Sequence, residues 1–249
     1  GVTAGVRYDL DTRIADWNNV APRVAIAVAP PGKRFVLRGG VGLFYQSLPQ
    51  DAVARAVLFA DGGLQERTIA NPVFPAADAA VAGPVSAWRL AGSLEQPRTL
   101  QASAAIERAF GRRSAFTAEY LRLHTSQAFR SRDVNAAAAD SLVRPDPLHL
   151  NIFEIGSTGE RRTDAVTVTM KTITRNLHAT AQYTLSRTLD DGSTVFELPA
   201  DSVTLAGEFG RADFDRLHKL NLAATYGWKK DRVRLGAVLA VSSGAPFNI

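Results

Sequence analysis

Apolar and polar residues alternate one by one along much of the chain, most clearly near its carboxyl end. Every second residue is apolar in segment 233–241, and the same period holds in segment 220–226. Successive side chains of a strand point to opposite faces, so each segment has one apolar face and one mixed face. Only a short polar stretch separates the two segments, and together they predict an antiparallel hairpin.

The same alternation recurs along the chain and predicts about nine strands. Their lengths are near the roughly 9–11 residues that a strand needs to cross an outer membrane. The predicted strands are residues 2–9, 23–29, 34–46, 99–108, 114–123, 164–174, 177–187, 220–226 and 233–241.

Short turns and long polar segments alternate as the connections between these strands. The turns are 30–33, 110–113, 174–176 and 227–231; the long segments are 47–96, 125–148 and 188–215. Within the long segments, residues 52–58 predict a short helix, and residues 150–155 are predicted to extend a hairpin beyond the membrane. Turns on one side and long loops on the other are typical of a transmembrane β-barrel. A soluble β-sandwich is the alternative, because it also alternates along each strand.

The two faces of the predicted barrel differ in chemistry. The inner face is predicted to meet water or protein through Arg7, Arg38, Gln101, Glu107, Gln182 and Asn221. An aromatic girdle at strand ends is predicted from Tyr8, Tyr45, Tyr183, Tyr226 and Trp228.

Composition narrows the class of protein further. The chain has no cysteine, so disulfides and cysteine-based metal sites are excluded. Mean hydropathy is −0.06, and no apolar run approaches the ~20 residues of a membrane helix. These values are compatible with a transmembrane β-barrel, because each of its strands is only half apolar and gives a weak hydropathy signal. The net charge of +5 is scattered rather than gathered with aromatics, so nucleic-acid binding is not predicted.

No residue pattern predicts enzymatic chemistry. The four histidines, His124, His149, His178 and His218, lie on different segments without the spacing of metal ligands. The motif D-D-G-S at 190–193 lacks the later ligands of a calcium loop; a solvated turn is favoured and loop-bound calcium is the alternative. Glu107 and Glu119 are interpreted as polar residues of the inner face. Catalytic, cofactor and metal residues are therefore predicted to be none, and substrate-binding residues are left unassigned.

Five segments resemble one family. They are N-N-V-A-P-R at 18–23, R-G-G-V-G-L-F-Y-Q at 38–46, Y-T-L-S-R-T-L-D-D-G-S at 183–193, G-R-A-D-F-D-R-L-H-K-L at 210–220 and S-G-A-P-F-N-I at 243–249. In sequence, order and spacing they resemble the barrel of TonB-dependent receptors of the Oar-like type, which carry a carboxypeptidase-regulatory-like domain.

The resemblance implies a 22-stranded outer-membrane barrel, of which residues 1–249 would form one partial domain from the carboxyl-terminal half. We expect the plug, TonB box, signal peptide and terminal strand to lie outside this segment. The implied function is the import of a large substrate, such as a siderophore or carbohydrate, with outer-membrane lipid, the plug, the TonB system and an extracellular ligand as partners. The alternative is an adhesion or scaffold barrel without active transport.

Overall fold

One sheet of eleven strands contains most of the regular structure. The computed structural model describes residues 1–32, 34–65, 84–138, 140–141, 143–228 and 232–247. In chain order the elements are β1 (Val2–Tyr8), β2 (Val20–Val28), β3 (Phe35–Tyr45), α1 (Gln50–Leu58), β4 (Val85–Leu90), β5 (Arg98–Phe110), β6 (Ser114–Asp133), β7 (His149–Ile173), β8 (Leu177–Asp190), β9 (Gly210–Arg211), β10 (His218–Trp228) and β11 (Val233–Ser242).

The main path of the sheet follows the order of the chain. It runs β1-β2-β3-β5-β6-β7-β8-β10-β11, and each strand is antiparallel to the next. These nine strands confirm the predicted all-β, antiparallel barrel portion, and we call them the wall. Within the described residues the path does not close on itself. The total of 22 strands stays a prediction.

Residues opposite each other in neighbouring strands share a face, so the register defines two surfaces. The outer face is apolar through the middle of the wall, with charged residues such as Arg122, Asp164 and Arg187 at the end away from the short turns. One row on it reads Leu37, Ile106, Ala118, Val168, Tyr183, Leu220 and Val241. Several of these large side chains are exposed, for example Val241 at 52%. A continuous apolar surface of this kind is what lipid contact requires.

The inner face is polar. One of its rows reads Arg38, Ala105, Glu119, Thr167, Thr184, Lys219 and Ser242. The hydroxyls of Thr167 and Thr184 are hydrogen-bonded at 3.0 Å, and Arg38 pairs with Glu107 at 3.2 Å. By register and alternation, all six residues predicted for the inner face lie on it.

The predicted aromatic girdle is correct at four of its five positions. Tyr8, Tyr45, Tyr226 and Trp228 lie at or near the ends of their strands. Tyr183 does not, because it lies in the middle of β8 opposite Val168 and Leu220. There its hydroxyl is hydrogen-bonded to His218 Nδ1 at 2.7 Å.

Two of the predicted loops contain strands that sequence alternation did not reveal. Strand β6 continues through residues 125–133, and β7 begins at His149, so the predicted loop at 125–148 is wrong at its start. Here the register is irregular and Gln127 has φ 60°, which breaks the period of two. Strand β4 lies inside the predicted loop at 47–96, of which residues 66–83 are outside the described part.

Other expectations for the loops are confirmed. The predicted short helix is α1, and residues 150–155 belong to the extended part of β7. The predicted loop at 188–215 begins three residues later than expected, after β8 ends at Asp190, and it contains the short strand β9. In the described part of the chain, no helix has the length and apolar character needed to span a membrane.

The opposite faces of β7 predict opposite responses to charge. Val168→Lys in the full-length protein should lower the free energy of unfolding in lipid by about 2–4 kcal/mol, because it places an ammonium group among hydrocarbon chains. Thr169→Lys, one residue along on the inner face, is the matched control and should cost far less. A denaturant titration in lipid vesicles compares them, and equal losses would contradict the assigned faces.

Candidate functional site

The connections at the end of the sheet opposite the short turns pack into one compact body, which we call the loop layer. It consists of the described residues within 9–19, 46–65, 84–97, 126–160 and 191–217. Its hydrophobic core is formed by Ile14, Leu48, Ala52, Trp88, Leu94, Phe129 and Ile155, with Val195 and Phe196 packed against it. Four separate connections contribute to this core, so the loops stabilise each other.

Strand β7 joins the loop layer to the wall. One edge of β7 pairs with β6 along most of its length. The other edge is shared, since residues 161–173 pair with β8 and residues 149–155 pair in parallel with β4. Trp88 of β4 lies opposite Phe153, with ring centroids 4.7 Å apart. The extended hairpin therefore presents a wide surface on which the loops pack.

Buried carboxylates fix the connection between β1 and β2. Asp11 accepts hydrogen bonds from Arg13 Nε at 2.8 Å and from the backbone N–H of Leu48 at 3.0 Å. The Arg13 side chain is the main cause that lowers the pKa of Asp11 to about 2. Asp16 accepts a hydrogen bond from the backbone N–H of Gln96 at 2.8 Å. These two carboxylates bind the first connection to the segments that follow β3 and precede β5.

The D-D-G-S motif forms ion pairs with arginines of β6 and β7. Asp190 lies 3.1 Å from Arg161 Nε, and Asp191 lies 3.1 Å from Arg130. Arg161 also donates to the carbonyl of Ser193 at 3.1 Å. Among the described residues no three side chains are grouped as a metal site. Arginines thus lie beside both carboxylates of the motif, and loop-bound calcium stays an alternative hypothesis.

A second polar network organises the connection between β6 and β7. Asn135 is 1% exposed, and its side-chain amide donates to the carbonyls of Asp146 and His149 at 3.0 and 2.9 Å. His149 Nδ1 lies 2.8 Å from Asp146, and Nε2 lies 3.4 Å from Asp61 in the segment after α1. These carboxylates raise the pKa of His149, Asp146 first, against the opposing effect of burial.

The structure does not bring the sequence candidates together. His124 lies 3.7 Å from Glu160, His178 opposes Thr225 and Ile173, and His218 contacts Tyr183. Glu107 and Glu119 do lie on neighbouring strands of the inner face, and Glu107 pairs with Arg38. Arg130 and Asn135 were missed, because polar residues in an apparent loop carry no signal until the extended hairpin is known.

The geometry is that of an outer-membrane barrel portion, and comparison with known families agrees. A family described as "Outer membrane beta barrel domain" matches residues 2–244. The chain belongs to this family, and its location is the outer membrane. No curated protein matches the chain.

Several solved structures share the fold. The outer membrane transporter YddB from Escherichia coli is 13% identical with a TM-score of 0.66, over 98% of this chain and 31% of that one. The FpvAI–pyocin S2 complex is 9% identical with a TM-score of 0.52, over 89% and 23%. The FrpB iron transporter from Neisseria meningitidis is 11% identical with a TM-score of 0.50, over 88% and 26%. The chain thus spans less than a third of each of these three chains.

Removing the Asp11 charge should loosen the loop layer. Asp11→Asn in the full-length protein is expected to increase protease cleavage within residues 9–19 at neutral pH, because Arg13 and the Leu48 N–H lose a charged acceptor. In the wild type, the stabilising effect is complete above the ordinary carboxyl pKa of 3.8 and is lost as the pH falls toward about 2. Exposed Asp140→Asn is the control, and equal cleavage of the two variants would contradict this role.

His149 should make the loop layer sensitive to pH in the opposite direction. Because its pKa is raised, its stabilising effect is complete below the ordinary value of 6.5 and is lost as the pH rises through the folded-state pKa. Hydrogen exchange near residues 60–65 and 146–150, corrected for intrinsic rates, should therefore show less protection at pH 8 than at pH 6. His149→Gln should abolish this difference; if the difference persists, another group is responsible.

Proposed function

We propose that this chain forms part of the wall and the loop layer of a TonB-dependent outer-membrane transporter. The observation that carries the proposal is the combination of three surfaces in one sheet. The outer face is apolar, the inner face carries charged and hydroxyl groups, and the far end supports a packed layer with its own buried core. A transporter needs all three, for lipid contact, for a hydrated interior and for ligand capture.

The inner face fits contact with a plug and with water. Its rows combine threonines with charges such as Arg38, Glu119 and Lys219, which can bond to a folded domain or remain hydrated. Coupling to TonB and gated import would depend on parts of the protein beyond this chain. Matched structures bearing the names of an outer membrane transporter and an iron transporter support this class, and the substrate is left open.

The second candidate is an adhesion or scaffold barrel that binds partners and transports nothing. The packed loop layer favours it as much as it favours transport, because a rigid surface built from four connections suits recognition. The two candidates differ in whether the barrel interior responds to energy from the inner membrane.

Cysteine labelling in living cells can separate the two candidates. The chain has no cysteine, so single substitutions give specific labels in this segment. Thr184→Cys on the inner face should react faster with a membrane-impermeant maleimide in cells with an active TonB system than in cells lacking TonB, because plug movement exposes the lumen. Tyr183→Cys, the neighbouring outer-face residue, is the control and should stay protected in both strains.

Equal labelling of Thr184→Cys in both strains would overturn transport and favour the scaffold. The cells should be grown in complex medium, which supplies candidate ligands, and a protonophore should reproduce the effect of removing TonB. Fast labelling of both cysteines would instead show that the assigned faces are wrong.

A further inference from the structure

The extended hairpin of β6 and β7 has a second face, away from the hydrophobic core, and this face borders a cavity of about 260 Å³. Arg130 and Arg132 lie opposite Gly156 and Glu154 in the two strands, so all four residues share that face. The connection between β4 and β5 covers it. This cover is fixed by Ser157, whose hydroxyl donates to the Glu95 carbonyl at 2.7 Å and accepts from the Glu95 N–H at 3.0 Å.

Arg130 carries unused hydrogen-bonding capacity beside this cavity. Its side chain is only 5% exposed, and it forms one ion pair, with Asp191. Its Nε is buried with no hydrogen-bond partner among the described residues. A buried donor without an acceptor is costly, because the group has lost its water without a replacement. Arg130 also lines the cavity, so a ligand there would lie beside this arginine side chain.

Two further features make the cavity suitable for an anion. Arg132 lines it and has no ion pair within the described part of the chain, whereas Glu154 is already paired with Arg89 at 2.8 Å. A Cβ added at Gly156 would have no heavy atom within 4 Å, so the space beside it is open. Positive charge therefore faces an open space from one side.

We propose that this cavity binds a small acid that also carries hydroxyl groups, as a sugar acid does. The planar guanidinium groups of Arg130 and Arg132 match a carboxylate, with charge-assisted hydrogen bonds. Ser93, Thr158 and Glu95 line the same cavity, and their side chains are of the kind that bonds to ligand hydroxyl groups. The volume suits one monosaccharide-sized unit, since whole-ligand pockets are commonly about 300–1,000 Å³. This inference rests on the proposed function and names a ligand class for the loop layer.

Calorimetric titration of the purified full-length protein with glucuronate tests the proposal. Saturable binding is expected for glucuronate, and binding weaker by about tenfold or more for glucose, which lacks the carboxylate. Arg132→Gln should weaken glucuronate binding by a similar factor, and Gly156→Leu should abolish it by filling the space. Arg112→Gln, an exposed arginine in the turn at the other end of the wall, should leave binding unchanged.

Several outcomes would overturn the inference. They are an absence of saturable glucuronate binding, equal affinity for glucose, or binding that survives Gly156→Leu in protein with an unchanged near-ultraviolet circular dichroism spectrum. Inorganic phosphate is titrated in a separate experiment. Tighter binding of phosphate than of glucuronate would show a simple anion site instead. TonB-dependent cysteine labelling without glucuronate binding would remove only this inference, whereas the reverse result would remove only the transport proposal.

Discussion

The structure depends on one constraint, which is that backbone N–H and C=O groups in hydrocarbon find no water and must bond to each other. The wall meets it by pairing each strand with the next in chain order, with registers that run without interruption through the membrane-facing segments. Continuous pairing keeps the alternation of side chains in phase across the sheet. The apolar outer face and the polar inner face therefore both follow from the backbone.

This backbone constraint explains which parts of the fold could be predicted from the sequence. Inside the wall, every second side chain meets lipid, so the pattern at Val166, Val168 and Met170 reports the strand and its face directly. Beyond the wall that requirement ends. Strand β4 has six residues, pairs in parallel and is buried by its neighbours, and β6 continues past the irregularity at Gln127. Neither has a period that a single sequence reveals, and Arg130, the partner of Asp191, lies on the continued part of β6.

The loop layer follows the ordinary rules of a water-soluble core, although it is attached to a membrane wall. Leu48 and Ile155 are almost fully buried, and the polar groups buried with them are largely paired, as Asp11 is with Arg13 and Asp190 with Arg161. Burying a charge costs desolvation, so each of these carboxylates is paired with an arginine. The exceptions include the Nε of Arg130, next to the cavity on the other face of the hairpin, and the side-chain amide of Gln96.

The shared edge of β7 also has a mechanical consequence. This single strand of 25 residues, about 80 Å when extended, passes from the short turn before β8 into the loop layer. Its hydrogen bonds to β8 lie in the wall and those to β4 lie in the loop layer, so this one strand is part of both. Force applied to the layer is transmitted along β7 to the wall. Since the hairpin of β6 and β7 belongs to both, the loop layer is held rigidly on the wall.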